Sequence, residues 1–371
     1  MPTIAIDARK YSDFGIGIYI QNLVSSLSGL NTSHRFVLYV PVADRGKVTL
    51  PANWEERGTR YGKYSAGEFM LYGRQIRSEE VDLFHEPHYT LPLGLRGRSV
   101  VTIHDLIHLK LPQYFTSLQR GYARMMIGHA VRNAGAVIAV STKTKEDIVE
   151  MFRVREERVT VIHNGINASF QRLEEAVIRQ FRQELGLRCP YVLFVGNVKP
   201  HKNVATLLKA FSRLRQRYPD LRLVFAGGKC FGDQSLSLLA RELRIVDYIL
   251  DLGQIEGREL LGVYNAAEML ILPSYYEGFG FPVLEAMACG VPTVISNGGS
   301  LPEVAGDASM ICDPFEPDSF VQAMETLLTD SSRRTELVSR GKERVSHFSW
   351  QEAAKQTLNA YERVLKECHV S

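Results

Sequence analysis

What the 371-residue chain does not contain narrows its reading first. No apolar run reaches the roughly 18 residues of a membrane span, and Met1 is followed almost at once by the strand-like TIAIDA rather than by a basic, then apolar leader. The expected location is the cytoplasm. The five cysteines, Cys189, Cys230, Cys289, Cys312 and Cys368, are odd in number and lack metal-ligand spacing, so they read as reduced thiols of the core. No Asp-x-Asp occurs, nor any His/Cys/carboxylate cluster with ligand spacing, and no metal cofactor is expected. A formal charge of +3 falls short of a nucleic-acid footprint, and no nucleic-acid motif accompanies it. Low-complexity tracts, internal repeats and Gly/Ser linkers are absent, which leaves neither a disordered tail nor a long hinge.

What is present is 45% hydrophobic and 23% charged, the composition of a globular protein long enough for two cores. Short Val/Ile-rich runs alternate with longer amphipathic stretches at 3–8, 36–40, 81–85, 99–103, 136–140 and 159–162. After a charged helical segment at 172–188 the pattern restarts at 191–196, 221–226, 248–252, 268–272, 292–295 and 308–311. Buried runs separated by helices predict parallel sheets, here two α/β doubly wound domains of Rossmann-like type over 1–170 and 171–349. The segment FSWQEAAKQTLNAYERVL has helical apolar spacing with Ser349 as its cap, and is expected to return to the first domain as a helix over 350–371. Such sheets bind ligands beyond the carboxyl ends of their strands, so two of them define one shared cleft.

The candidate chemistry lies where strands end. In YYEGFGFPVLEAMACGVP, Pro282 fits the first helical position and Glu285 the first turn, while Gly278 and Gly280 loosen the preceding loop. Exposed amides and the positive end of the helix dipole make that start a phosphate site. Candidate ligand-binding residues from Glu277 to Glu285 include Phe279, Gly280, Phe281 and Leu284. YVLFVGNVKPHKN runs from a strand through Gly196 and Asn197 into a helix beginning near Asn203, with Lys202 placed to face a diphosphate and Lys199 and His201 left to solvent. Gly15 and Gly17 interrupt the path from the first strand to its helix, letting backbone approach a ligand or simply turn. SVVTIHDLIHLKLP puts His104 and Asp105 at a strand end, and His85 and His88 in LFHEPHYTLP follow another strand. Ser300 and Glu303 in GGSLPEV fit a capping box, a structural role. Arg120, Arg124 and Arg132 alternate with apolar residues as in a core helix, a pattern that also suits an anionic membrane surface. A nicotinamide-dependent oxidoreductase could also use two such sheets, but neither Gly turn completes G-x-G-x-x-G with a suitable acidic residue downstream, which disfavours it.

EGFGFPVLE resembles the E-x7-E signature of glycosyltransferase family 4, and the similarity continues through ACGVPTVISNGGSLPEVAGDA. The resemblance implies a GT-B fold over most of the chain and a retaining, metal-independent hexosyl transfer. By the same resemblance Glu277 contacts the transferred sugar, Glu285 the ribose hydroxyls, Lys202 the diphosphate, and His104 the outer sugar hydroxyls. Gly15 and Gly17 match the family's Gly-rich loop. Asn197 stands where family members commonly carry an Arg. The VGNVKPHKN and HDLIH variants look most like bacterial mannosyltransferases of O-antigen or exopolysaccharide type. The expected donor is therefore GDP-mannose and the partner a glycan or lipid-linked saccharide acceptor, with peripheral contact at the inner membrane surface and no nucleic acid. The N-terminal domain is expected to bind the acceptor. A nucleotide-sugar epimerase acting on UDP-N-acetylglucosamine and a non-catalytic nucleotide-sugar-binding protein share these motifs.

Overall fold

The computed structural model describes residues 1–13, 15–46, 50, 53–65, 67–186, 189–228 and 232–370, with side chains to residue 368. Cys230 lies outside the described residues. The chain divides into two compact units, Met1–Gly165 with Ser349–Ser371, and Ile166–Phe348.

Among the described residues, the first unit holds one parallel sheet of β1 (Thr3–Asp7), β2 (Arg35–Pro41), β3 (Trp54–Thr59), β4 (Leu83–Glu86), β5 (Ser99–Ile103), β6 (Ala136–Ala139) and β7 (Val159–Val161), in the order β3-β2-β1-β4-β5-β6-β7. The second holds β8 (Tyr191–Gly196), β9 (Arg222–Gly227), β10 (Ile249–Asp251), β11 (Met269–Leu272), β12 (Thr293–Ser296) and β13 (Ser309–Cys312), ordered β10-β9-β8-β11-β12-β13. Both orders run outward from a central strand and then reverse, between β1 and β4 in one sheet and between β8 and β11 in the other. Helices on the sheet faces leave the central strands no contact with water, which is why they read as unbroken apolar runs.

β3 is the strand the apolar pattern missed. Its sequence WEERGT occupies a sheet edge, where Glu55 pairs with Arg35 and Arg57 and only the end residues Trp54 and Thr59 are buried, Trp54 stacked on Phe36 at 4.4 Å. Charged side chains on an edge strand hinder pairing with other chains and erase the hydrophobic signal.

The two passages between units run side by side. Ile166 N–H donates to the Phe348 carbonyl at 3.1 Å, and a Cβ on Gly165 would stand 2.1 Å from the Trp350 nitrogen, so only glycine fits. The helix Trp350–Val370 belongs to the first unit, capped by Ser349, whose Oγ accepts from Glu352 N–H at 3.3 Å. His85 anchors this helix: its Nδ1 meets the Tyr361 hydroxyl at 2.6 Å and its Nε2 the Thr102 hydroxyl at 2.8 Å. Burial first, then the neighbouring His104, press the His85 pKa down to about 3. The ring is a neutral structural bridge with both nitrogens engaged inside the first unit.

The helix Ser117–Asn133 buries Ala123, Met126, Ile127, Ala130 and Val131 and is a core helix, with Arg132 tied to the Gly128 and Phe152 carbonyls. Cys289 and Cys312 are buried and Cys189 and Cys368 half-buried, all four with free thiols.

Candidate active site

In the second unit the segments after β8 and β11, adjacent strands at the reversal of order, bring together residues 75 positions apart in sequence. After β8 the chain turns at Gly196, whose φ of +138° suits glycine, and passes through a short turn at Pro200–Lys202 into the helix Val204–Arg215. Asn203, itself left-handed at φ +54°, holds the turn by donating its side-chain amide to the Pro273 and Pro314 carbonyls at 3.0 and 2.7 Å. This fixes Lys202, whose Nζ donates to Glu277 Oε1 at 2.6 Å with side chains only 15% and 11% exposed. Ser274 Oγ donates to the same oxygen at 2.6 Å.

Burial would raise the Glu277 pKa, but the Lys202 charge, the hydrogen bonds from Lys202 and Ser274, and the His201 charge together hold it below the ordinary value. Glu277 is thus a firm carboxylate, and neither bond uses its Oε2. Lys202 has three N–H donors and spends one here, so two remain for an anion. Lys199 is exposed and His201 half-buried. Asn197 is half-buried beside them.

The loop carrying Glu277 is held from behind by NGGS. A Cβ on Gly299, at φ +63°, would fall 2.2 Å from the Glu277 carbonyl oxygen, and one on Gly298 2.4 Å from that of Ser274. Ser300 Oγ donates to the Glu277 and Phe279 carbonyls, each at 3.1 Å. The expected capping box at Ser300 and Glu303 does not form: Ser300 makes no side-chain bond to its helix, because its hydroxyl is committed to this loop. The signal for that clamp was present in the sequence as paired glycines and a serine, and was misread as a cap.

The helix Phe281–Ala288 starts at Gly280, φ +101°, with Pro282 in its first turn and no side-chain cap. Pro282 brings no N–H to that start and the Val283 N–H donates to the Gly280 carbonyl at 3.0 Å, so what the start presents is the positive end of the helix dipole. Glu285 is its fifth residue, in the second turn rather than the first as expected, since the helix begins at Phe281. It is buried and accepts from the Tyr264 hydroxyl at 2.5 Å; burial, only partly offset by that bond, pushes its pKa up to about 7. Glu277 and Glu285 share no recorded partner. Leu284 is wholly buried, and Phe279 packs edge-on to Phe281 and Phe348, so the side chains of Leu284 and Phe279 serve the core while Phe281 is half-buried.

In the first unit, His104 follows β5. Its Nε2 lies 3.0 Å from the Pro87 carbonyl, which only accepts, so Nε2 carries the proton and Nδ1 is the acceptor of a ring that burial keeps neutral. Tyr19 meets it edge-on at 4.8 Å. Asp105 closes a local turn by accepting from Ile107 N–H at 3.0 Å. Gly15 adopts φ +54° with open space where a Cβ would be, whereas Gly17 is required by packing, since a Cβ would lie 2.5 Å from the Tyr11 carbonyl oxygen. Among the described residues there is no group of three or more His, Cys, Asp or Glu side chains fit to hold a metal ion, and no helix long and apolar enough to cross a membrane.

Two parallel sheets of Rossmann order in one chain, with a basic and an acidic side chain joined at a helix start in the second, are the architecture of GT-B glycosyltransferases. The chain superposes on sucrose-phosphate synthase from Thermosynechococcus elongatus with TM-score 0.79 at 21% identity, covering 99% of this chain and 100% of that one. It superposes on Anabaena HepE in complex with UDP and glucose with TM-score 0.77 at 18% identity, covering 98% and 100%. A model of "Glycosyltransferase Family 4" matches residues 15–170 and one of "Glycosyl transferases group 1" residues 178–344. O-antigen chain mannosyltransferase B of Escherichia coli is 32% identical over 96% of this chain and 98% of its own. The chain belongs to glycosyltransferase family 4.

Proposed function

We propose that this glycosyltransferase moves mannose from GDP-mannose to a hydroxyl of a glycan or lipid-linked saccharide, with retention at the anomeric carbon and without a metal. The observation that carries the donor assignment is the Lys202–Glu277–Ser274 cluster beside the uncapped start of the helix Phe281–Ala288. Mannose rests on the likeness to the Escherichia coli O-antigen chain mannosyltransferase.

In this mechanism the two spare N–H groups of Lys202 and the positive end of the helix dipole meet the diphosphate, and stabilise the charge that grows on it as the glycosidic C–O bond breaks. Glu277 Oε2 accepts from hydroxyls of the departing sugar, and Glu285 from the ribose. The acceptor hydroxyl attacks from the face the diphosphate leaves, its oxygen bonding to the anomeric carbon while its proton passes to a phosphate oxygen, giving GDP and an α-mannoside. No protein nucleophile is needed. His104 Nδ1 accepts from an outer sugar hydroxyl. The first unit binds the acceptor, and a lipid-linked acceptor would bring the protein into peripheral contact with the inner membrane surface.

Purified protein incubated with GDP-mannose, UDP-glucose or UDP-N-acetylglucosamine in the presence of a chelator, with products read by NMR, tests each part. The expected outcome is GDP release from GDP-mannose with an α-linked product. A β-linked product, an epimerised sugar nucleotide, or turnover that requires added metal would contradict it.

A further inference from the structure

The reversal of strand order in the first sheet gathers a second group of polar side chains, which the donor site does not use. Asp7 ends β1 and Glu86 ends β4, and the register that sets Ile6 opposite His85 brings them side by side. Arg9 closes part of this group: its guanidinium donates to both Asp7 oxygens, to Glu68 at 2.7 Å and to the Tyr61 carbonyl at 3.2 Å. Although burial opposes ionisation, Arg9 holds the Asp7 carboxyl below its ordinary value.

The rest is not closed. Lys10 is 3% exposed, yet among the described residues its ammonium has no recorded hydrogen bond or carboxylate partner, and it lies 4.4 Å from the centre of the Tyr64 ring. Glu86 is 1% exposed; its Oε2 has no hydrogen bond and only the Arg9 guanidinium at 3.9 Å, and its Oε1 only a long contact of 3.4 Å from Thr90. His88 is 5% exposed with Nδ1 unpartnered, its ring against Tyr89 at 3.9 Å and Tyr64 at 5.7 Å. A packed core leaves such groups unpaired rarely, because each costs about 1–3 kcal/mol. Lys10 acts electrostatically on both Glu86 and His88, and the three ask for a common partner.

The chemistry on offer defines that partner. Burial and the Asp7 charge raise the Glu86 pKa well above its ordinary value, making it a neutral O–H donor. Burial and the Lys10 charge hold His88 well below its own, making it a neutral ring. One cation, one neutral acid, one imidazole and the faces of Tyr64 and Tyr89 suit a molecule whose hydroxyls both give and accept and whose C–H faces lie on aromatic rings. The Asp7 and Glu68 carboxylates nearby disfavour a dianion. Tyr64, half-exposed and left-handed at φ +57°, covers Lys10.

We infer that Lys10, Glu86 and His88, roofed by Tyr64, form a hexopyranoside-binding subsite that takes the hydroxyl face of the saccharide acceptor. Its assignment to the acceptor rests on the proposed transfer. Saturation-transfer NMR on the full chain with methyl α-mannopyranoside and GDP as probes tests it. Wild-type protein is expected to transfer signal to both. Lys10→Met and His88→Phe each weaken mannoside binding about tenfold and leave GDP binding and the melting temperature in place. Glu86→Gln, which keeps a neutral donor and acceptor, weakens it less than Glu86→Leu. Should the buried variants fail to fold, Tyr64→Ala at its half-exposed position carries the same expectation of a weaker mannoside signal. Wild-type protein that binds GDP but not the mannoside, or variants that bind the mannoside as wild type does, would overturn the subsite. Mannoside binding with no GDP binding would support the subsite and overturn the donor assignment.

Discussion

The two sheets reverse strand order in the same way, yet they hold the polar groups at their reversals differently. Beyond β8 and β11 the charges answer one another: Lys202 meets Glu277, Ser274 meets the same carboxylate, and Gly298, Gly299 and Ser300 fix the loop behind them. Beyond β1 and β4 only half the group is answered. Arg9 satisfies Asp7 and Glu68 and reaches Glu86 Oε2 only at 3.9 Å, while Lys10 and His88 Nδ1 are left without hydrogen bonds. A site that presents a preformed ion pair can bind an anion by sharing the lysine's spare donors, with little rearrangement. A site with unmet donors gains more from its ligand, because the ligand removes an existing penalty.

Five changes break or sharpen this contrast. The largest effect on stability is expected at Arg9, because removing a buried guanidinium strands two buried carboxylates: Arg9→Ala should cost about 3–5 kcal/mol in a urea titration. The matching change in the second unit, Lys202→Ala, strands one mostly buried carboxylate rather than two, so it should cost less stability than Arg9→Ala, about 1–3 kcal/mol, and lower transfer turnover about 100-fold or more in a steady-state assay. Glu277→Gln should do the same, and wild-type turnover in either variant would remove the pair from the site.

Gly299→Ala comes next. Its new Cβ meets backbone at 2.2 Å rather than a movable side chain, so it should lower stability by about 1–3 kcal/mol and displace Glu277, reducing melting temperature and turnover together. The smallest effect concerns Glu285. A carboxyl that binds its proton more tightly in the folded protein contributes stability that is complete below its ordinary value of 4.5 and is lost as pH rises through about 7. Melting curves should therefore show wild type losing ground to Glu285→Gln between about pH 5 and 8, and parallel curves would rule out the buried acid.

The sheets were legible in the sequence because parallel strands covered on both faces read as apolar runs, and every such run became a strand. β3 was not, since an edge strand built of WEERGT carries no such run. The candidate donor residues were legible from one contiguous stretch and one turn, but not their pairing: nothing in either segment says that Lys202 and Glu277 meet, because strand order makes them neighbours. The first-unit cluster was harder still. His88 was visible after its strand, but Lys10 and Glu86 are ordinary charges in sequence, and Glu68 reaches Arg9 from 59 residues away out of a wide helical turn at Glu68–Tyr72 that has no sequence pattern. Ser300 was visible and misassigned, since a hydroxyl before a helix fits a cap equally well until the loop it holds is seen.

The central claim is that the Lys202–Glu277 pair receives the donor's diphosphate and sugar. Isothermal titration of GDP and of GDP-mannose into wild type and Lys202→Ala tests it most directly. The account predicts that the variant loses about tenfold or more in affinity for both ligands, as the loss of a charged hydrogen bond implies. Equal affinities in the two proteins would contradict it.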